Sequence, residues 1–487
     1  MSKLSNRIKK GLLNIPGATP ESKATTERLL KLDHESHHCF FTNVGFHNHL
    51  SHHLLAAYDL GAPAELIQAI YDDEAKVQRP IDLKTNGVPP EDVPKPGVIN
   101  DSNWTEWLGN HKAYWAFVTF FSDKVKALGI QKTVEEFVYS PKANGNNADM
   151  LIRVCAGLLH PLIQLGHGIE FECEIETAAG LAQAAVHNFS RESYFPLNDF
   201  VDSEKPAASK ERQPQSGPSI LLLLRQIYDD NDLIPPLPYD PDAFINQRRV
   251  AFLEGGHRLV ALKRILQHFD PGHTKVAIEE CLEEVMISAI LLAFGTGKPN
   301  RKPRIDFFLM HLVTGSLFIQ SVVRVTDNIE YQRALLRIYI QLMAETIILR
   351  GRPRIDPALL MTYTANPLPP TGLVKAHPEA IGPENRNPWL ALIESSLNAS
   401  DAHVPKTLRT LIYASRNWGT LNKGEIIGTW GPDGQETHKG ISGVDGTVFI
   451  RAAGMLLDTL GWVAHGQKPG QWDRSALGWD DAWKNED

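Results

Sequence analysis

The chain has 487 residues, of which 43% are hydrophobic, 22% charged and 8% aromatic, with a formal net charge of −8. That is ordinary globular composition. Its densest basic run, Arg301-Lys302-Pro303-Arg304, is too short for the basic stripe that nucleic-acid binding needs. The four cysteines, Cys39, Cys155, Cys173 and Cys281, form no CxxC, which argues against a disulfide framework or a structural zinc site and suits a reducing compartment. Apolar stretches such as Val285 to Phe294 are short for a bilayer span, and Met1 to Gly17 has no apolar signal region. The expectation is a cytoplasmic protein with neither a nucleic-acid nor a membrane partner.

Helical periodicity dominates. It predicts helices over 54–74, 105–128, 146–169, 173–189, 218–228, 242–268, 274–297, 304–325, 329–349, 388–419 and 446–462. Gly61-Ala62-Pro63 should interrupt the first, and Gly351 with Pro353 should end another. Gly424 to Trp430 and Gly446 to Ile450 are the short strand candidates. The stretches 78–103, 196–218 and 351–387 read as Pro-rich or polar loops, and 463–487 as a polar, Trp-containing tail. The fold expected is all-α, a single large helical domain over 1–487 with long loops.

Seven histidines fall between His34 and His53, namely His34, His37, His38, His47, His49, His52 and His53. Imidazole is both a common transition-metal ligand and a proton carrier near neutral pH. His34-Glu35-Ser36-His37-His38 matches HExxH formally, but its continuation into Cys39-Phe40-Phe41-Thr42-Asn43 is poor helix, and the zinc-protease motif works only on one helical face. His49 and His53 are four apart at the start of a helical stretch, where Asn48 or Ser51 could cap it. His160 and His167 share a helix face ~10.5 Å apart along the axis, so one ion could take both only midway or at a bend near Gly166 and Gly168.

His311 stands in a strongly apolar helix, with Asp306 before it to cap the helix or orient a ligand. His403 and Lys406 are three apart on one face. The plain alternatives are a helix cap, a hydrogen-bonded core histidine and a snorkelling lysine. Tyr114, Trp115, Phe117, Phe120 and Phe121 could line a flat substrate's pocket or simply fill a core. No GxGxxG opens a βαβ unit, and there is no P-loop, GxSxG elbow or CxxCH, so flavin, nicotinamide-domain and haem motifs are absent.

Four blocks taken together resemble the questin oxidase family: Phe46 to Ala62, the His160-Pro161 segment, Asp306 to His311, and His403-Val404-Pro405-Lys406. The resemblance runs from about residue 40 to 420 with the blocks in family order. It implies a helical, flavin-free oxygenase that cleaves a ring of an anthraquinone-type aromatic polyketide with O2. Some members are described as non-haem iron dioxygenases with four histidines and a carboxylated lysine on the metal, others as cofactor-free Baeyer–Villiger oxidases. Carried over, the metal set is His49, His160, His167, His311 and Lys406, with Lys375 a second choice for the lysine. Many fungal relatives read HPLIH where this chain has Gln164, and this chain has His167 further on.

The iron reading is chemically coherent. Four neutral imidazoles and one carbamate leave a divalent iron with net charge of about +1 and room for an exchangeable ligand. Carbamate formation needs a neutral lysine amine, well below the reference of ~10.4. Under the metal-free alternative, His49, His53 and His403 serve as base or donors around an ionised phenolic substrate. The catalytic candidates beside the metal set are therefore His53, His403 and Asp306. NADPH stays open as a co-substrate, and a non-catalytic helical binding protein is the alternative from another class.

Overall fold

The computed structural model describes residues 4–42, 45–190, 217–372, 377, 379–382 and 386–484. Among the described residues there are 19 α-helices and no strand, so the all-α expectation holds. Residues 196–216 of the predicted loop, and Lys375, lie outside the described residues.

The chain forms two compact units. The first comprises 1–217, 269–282 and 314–343. It contains α1 (Pro20–Ser36), α2 (Leu50–Asp59), α3 (Ala64–Glu74), α4 (Tyr114–Leu128), α5 (Ile130–Val134), α6 (Pro141–Asn144), α7 (Met150–Cys155), α8 (His160–Glu170) and α9 (Glu174–Val186). The second comprises 218–268, 283–313 and 344–487. It contains α10 (Ile220–Asp229), α11 (Ile245–Leu253) and α12 (His257–Leu266). After α13 (Lys275–Phe294), α14 (Phe307–Arg324) and α15 (Ile329–Leu349), which have residues in both units, it adds α16 (Pro357–Leu360), α17 (Trp389–Leu397), α18 (His403–Trp418) and α19 (Val448–Leu460).

Several predicted helices break where the backbone needs something periodicity does not report. The 54–74 helix divides around Gly61-Ala62-Pro63, as expected. The 146–169 helix divides at Gly157, Leu158 and Leu159, which take left-handed φ values of 55°, 55° and 67°. The 388–419 helix divides before His403, and 105–128 forms short 3-10 turns first and becomes α-helical only at Tyr114. Of the strand candidates, Trp430 makes one isolated bridge to Glu436, and Val448 begins α19 instead. The predictions miss α1, because Leu29 and Leu30 are the main apolar residues it buries; Thr19 and Ser22 start it with a capping box.

In the first unit α8 and α9 pack backbone to backbone. A Cβ on Gly168 would lie 2.4 Å from the Thr177 nitrogen, and one on Gly180 2.6 Å from that of Leu165. Phe117, Phe120 and Phe121 are buried, and Phe120 and Phe121 meet Phe137 edge-on with centroids 5.4 Å apart, so they build core rather than a pocket.

The second unit is organised at the start of α14. Asp306 Oδ1 accepts the Phe308 and Leu309 N–H groups, and Oδ2 accepts from Arg350 Nε at 2.8 Å, both side chains fully buried. The predicted polar tail is packed rather than loose. Phe307 N–H donates to the Asp473 carbonyl, and Trp472 and Trp483 are buried. By length and composition α14 could cross a membrane (mean hydropathy 1.4), but 78% of it is buried inside the protein, as in a core helix.

Removing one member of a buried ion pair strands the other's charge, which typically costs about 3–5 kcal/mol. Arg350→Met should therefore lower stability by about that amount, read from the denaturant midpoint. Adding Asp306→Asn should recover part of the loss, since the remaining charge goes too.

Candidate functional site

In the first unit the bonds of Phe40 and Cys39 to His47 and Asn48 lead the histidines into α2. Phe40 bridges to His47, and Asn48 N–H donates to the Cys39 carbonyl at 2.8 Å. The Asn48 side chain then accepts from Leu50 N–H and donates to Asp33, fixing His49 at the N-cap of α2. From there His49 Nε2 lies 2.9 Å from His160 Nε2. His160 follows the left-handed Gly157-Leu158-Leu159 turn, and its Nδ1–H donates to the Gly157 carbonyl at 2.6 Å. A carbonyl only accepts, so the proton sits on Nδ1 and the Nε2 lone pair faces His49. His47 lies flat on His160, centroids 3.8 Å apart.

The other histidines of this unit are engaged elsewhere. His53 pairs through Nδ1 with Glu74. His52 donates from Nε2 to Gln164 at 2.6 Å, and its ring stacks on His167. The His167 Nδ1–H goes to the Ile163 carbonyl, with Phe318 against its other surroundings at 4.0 Å. The HExxH match has no helical face: α1 ends at Ser36, and His38 lies beyond it, donating to the His111 carbonyl and accepting Phe40 N–H.

In the second unit His311 and His403 meet, with ring centroids 5.0 Å apart and Phe307 against both. The His311 Nδ1–H donates to the Phe307 carbonyl one turn back at 2.8 Å. The His403 Nδ1–H donates to Asp401 Oδ1 at 2.7 Å, and the His403 backbone N–H goes to the same oxygen. Trp472 Nε1–H donates to Asp401 Oδ2 at 2.9 Å. Burial pushes the Asp401 carboxyl up, but the His403 imidazole and its two N–H groups, with Lys406, outweigh it and hold the acid well below the usual carboxylate range.

Lys406 follows one turn after His403 on α18 and is buried. Asp306 sits before His311, but its oxygens serve the α14 cap and Arg350, so it positions the helix. Asp401 is the residue that sequence reasoning passed over. Its signal was the Asp-x-His spacing, in which a carboxylate two residues upstream reaches Nδ1.

Beside the His49–His160 pair lies a buried polar chain. Gln164 takes the His52 N–H on its oxygen and gives its own N–H to Glu176, while Ser51 bonds Gln164 as well. Burial, reinforced by Asp33, pushes the Glu176 carboxyl up to about 8, against the opposing bonds from Ser51 and Gln164. The folded state thus keeps a proton that the unfolded chain, with its ordinary value of 4.5, releases. Stability should be greatest below the unfolded value and fall as pH rises through the folded one. We expect Tm to decline between about pH 5 and 8, and Glu176→Gln to flatten that decline. An unchanged profile in the variant would show that Glu176 is not the titrating group.

The fold and these side chains define an all-helical protein whose buried imidazoles are aimed by carbonyl and carboxylate acceptors, the support that metal-ligating or acid–base histidines need. Residues 46–411 match the family described as questin oxidase-like, and the chain belongs to that family. The Baeyer–Villiger oxidase AgnL3 of Paecilomyces divaricatus is 29% identical over 317 residues, 64% of this chain and 65% of its own length. The questin oxidase of Aspergillus terreus is 30% identical over 79% of this chain and 78% of its own. The Baeyer–Villiger oxidase mdpL of Emericella nidulans is 27% identical over 97% and 95%. The chain thus spans just under two thirds of AgnL3 and nearly all of mdpL. The family resemblance carried by the four sequence blocks is borne out.

Proposed function

We propose that this protein is an oxygenase that opens a ring of an anthraquinone-type polyketide with molecular oxygen, using one non-haem iron held by His49, His160, His311 and His403. The observation that carries it is the common handling of the rings. In His160, His311 and His403 an acceptor-only group takes the Nδ1 proton, which leaves Nε2 as the donor atom toward a ligand. Among the described residues these four form the group of histidine, cysteine and carboxylate side chains able to hold a metal, each offering one ring nitrogen.

Gly315, one turn after His311, lies against Leu159, the residue before His160; a Cβ there would be 2.4 Å from Leu159 Cδ1. His403 takes the place in the ligand set that His167 held on sequence grounds, and it stands outside the acid–base role given to it there.

The donor set fits the ion. Imidazole nitrogens suit iron, and the four buried cysteines, scattered along the chain, form no thiolate set to favour softer metals. Bound there, ferrous iron would supply the electrons by which dioxygen is activated. The chain's own residues fix geometry: Gly157, Phe307 and Asp401 orient three rings, and the Asp306 cap holds the helix that carries His311. Lys406, on the His403 face of α18, is assigned to carry a carbamate as a fifth, anionic ligand. Reduced cysteines also suit the cytoplasm as its compartment.

The metal-free Baeyer–Villiger reading draws on the names of two relatives, AgnL3 and mdpL, and on the Asp401–His403 pair as a base. Elemental analysis, with anthraquinone turnover followed before and after chelation, separates the two. About one iron per chain is expected, with turnover stopped by its removal. His49→Ala and His403→Ala should each lose iron and activity while staying folded. Full oxygen-dependent turnover without metal would replace the iron reading with the Baeyer–Villiger one. For the carbamate, protein prepared in 13C-bicarbonate should show a labelled carbonyl that Lys406→Ala lacks, and a short-chain carboxylate should partly restore iron to that variant. A Lys406→Ala protein with full iron would remove lysine from the set.

A further inference from the structure

Within the first unit, beside the His49–His160 pair, a partly open cavity of about 20 Å³ lies between the end of α1 and helices α8 and α9. That is room for one water-sized occupant. Its wall is rich in acceptors. Asp33 Oδ1 takes bonds from His37 and Asn48, and Glu176 takes one from Gln164. Gln183 lines the same cavity and is 1% exposed, and its Oε1 has no hydrogen-bond partner among the described residues.

The titratable groups around Glu176 are Asp33, His34 and His37 from α1 and its end, Cys39, Tyr114 at the start of α4, and Cys173 just before α9, whose thiol is pushed up by burial. No lysine or arginine is among the lining residues. Burial, against Asp33 and Glu35, holds the His34 imidazole down at about 4, so it supplies no charge near neutral pH. Two carboxyl groups and the Gln183 amide oxygen thus converge on a space that no described lysine or arginine lines, with His37 paired to Asp33 at one side. Such a site has positive charge or extra protons to gain.

We propose that this cavity binds a monovalent cation of water's size, potassium or ammonium, held by the Asp33 and Glu176 carboxylates and Gln183 Oε1. Binding exchanges for a proton: the Glu176 carboxylic acid ionises as the cation enters, and its proton leaves to solvent. Affinity therefore rises with pH up to the point where Glu176 is ionised on its own.

The test compares potassium chloride, ammonium chloride and choline chloride at equal ionic strength, using protein dialysed into choline chloride. Potassium, ammonium or both should raise Tm saturably over choline, whose ion is too large to enter, and the effective salt identifies the ion. Titration calorimetry in buffers of different ionisation enthalpy should show about one proton released per ion near neutral pH. Glu176→Gln, which keeps the shape of the neutral acid, should lose the proton release, and Gln183→Met should weaken the saturable shift. The same Tm in all three salts, with no binding heat, would overturn the proposal and leave the cavity to a single water.

Discussion

Each of His160, His311 and His403 gives its Nδ1 proton to a neighbour that can only accept, and the orientation of all three rings depends on that arrangement. An imidazole in a dry interior has two nitrogens to satisfy, and an unsatisfied one is costly. Once a carbonyl or carboxylate claims one, the tautomer is set and the ring can no longer flip without breaking the bond. The acceptors come from three sources: a strained turn, the preceding helical turn and a carboxylate two residues upstream. Different local structures reach the same end, a ring held at one orientation before any ligand arrives.

The left-handed turn before α8 shows how much structure this requires. Leu158 and Leu159 occupy a φ region that side chains other than glycine's rarely visit, at a cost of order 1–3 kcal/mol each. Gly157 is forced for another reason, since a Cβ there would lie 2.1 Å from the His187 ring. Leu159 in turn packs against Gly315, so a glycine in its place would relax the backbone and lose the contact. The strain persists because packing on both sides over-determines it.

Much of the helical content was legible, because hydrophobic spacing reports which faces are buried. The breaks were not. Two leucines at positive φ are indistinguishable in sequence from two leucines inside a helix, so 146–169 reads as one element. α1 went unread for the opposite reason: it buries few apolar residues and is set by its cap. Among the site candidates, residue type singled out His49, His160, His167, His311 and His403, and the family blocks Lys406, but assigning roles requires partners. His167 and His403 look equally suitable as letters; the Asp401 carboxylate behind His403 and the stacking of His167 on His52 distinguish them. The Gln164–Glu176 chain was invisible because its members lie 12 residues apart on different helices.

The two units are woven from non-adjacent lengths of chain, and this bears on how the protein is made. The first needs residues 269–282 and 314–343 as well as its N-terminal 217, and α13, α14 and α15 each have residues in both units. A ribosome emitting this chain from its N-terminus therefore cannot release a finished first unit and then begin the second. His49 and His160 emerge long before the stretch of α14 that packs on Leu159 and Phe318's neighbour His167. The early product is a partly covered helical assembly with apolar surface awaiting its complement, the kind of species that chaperones hold.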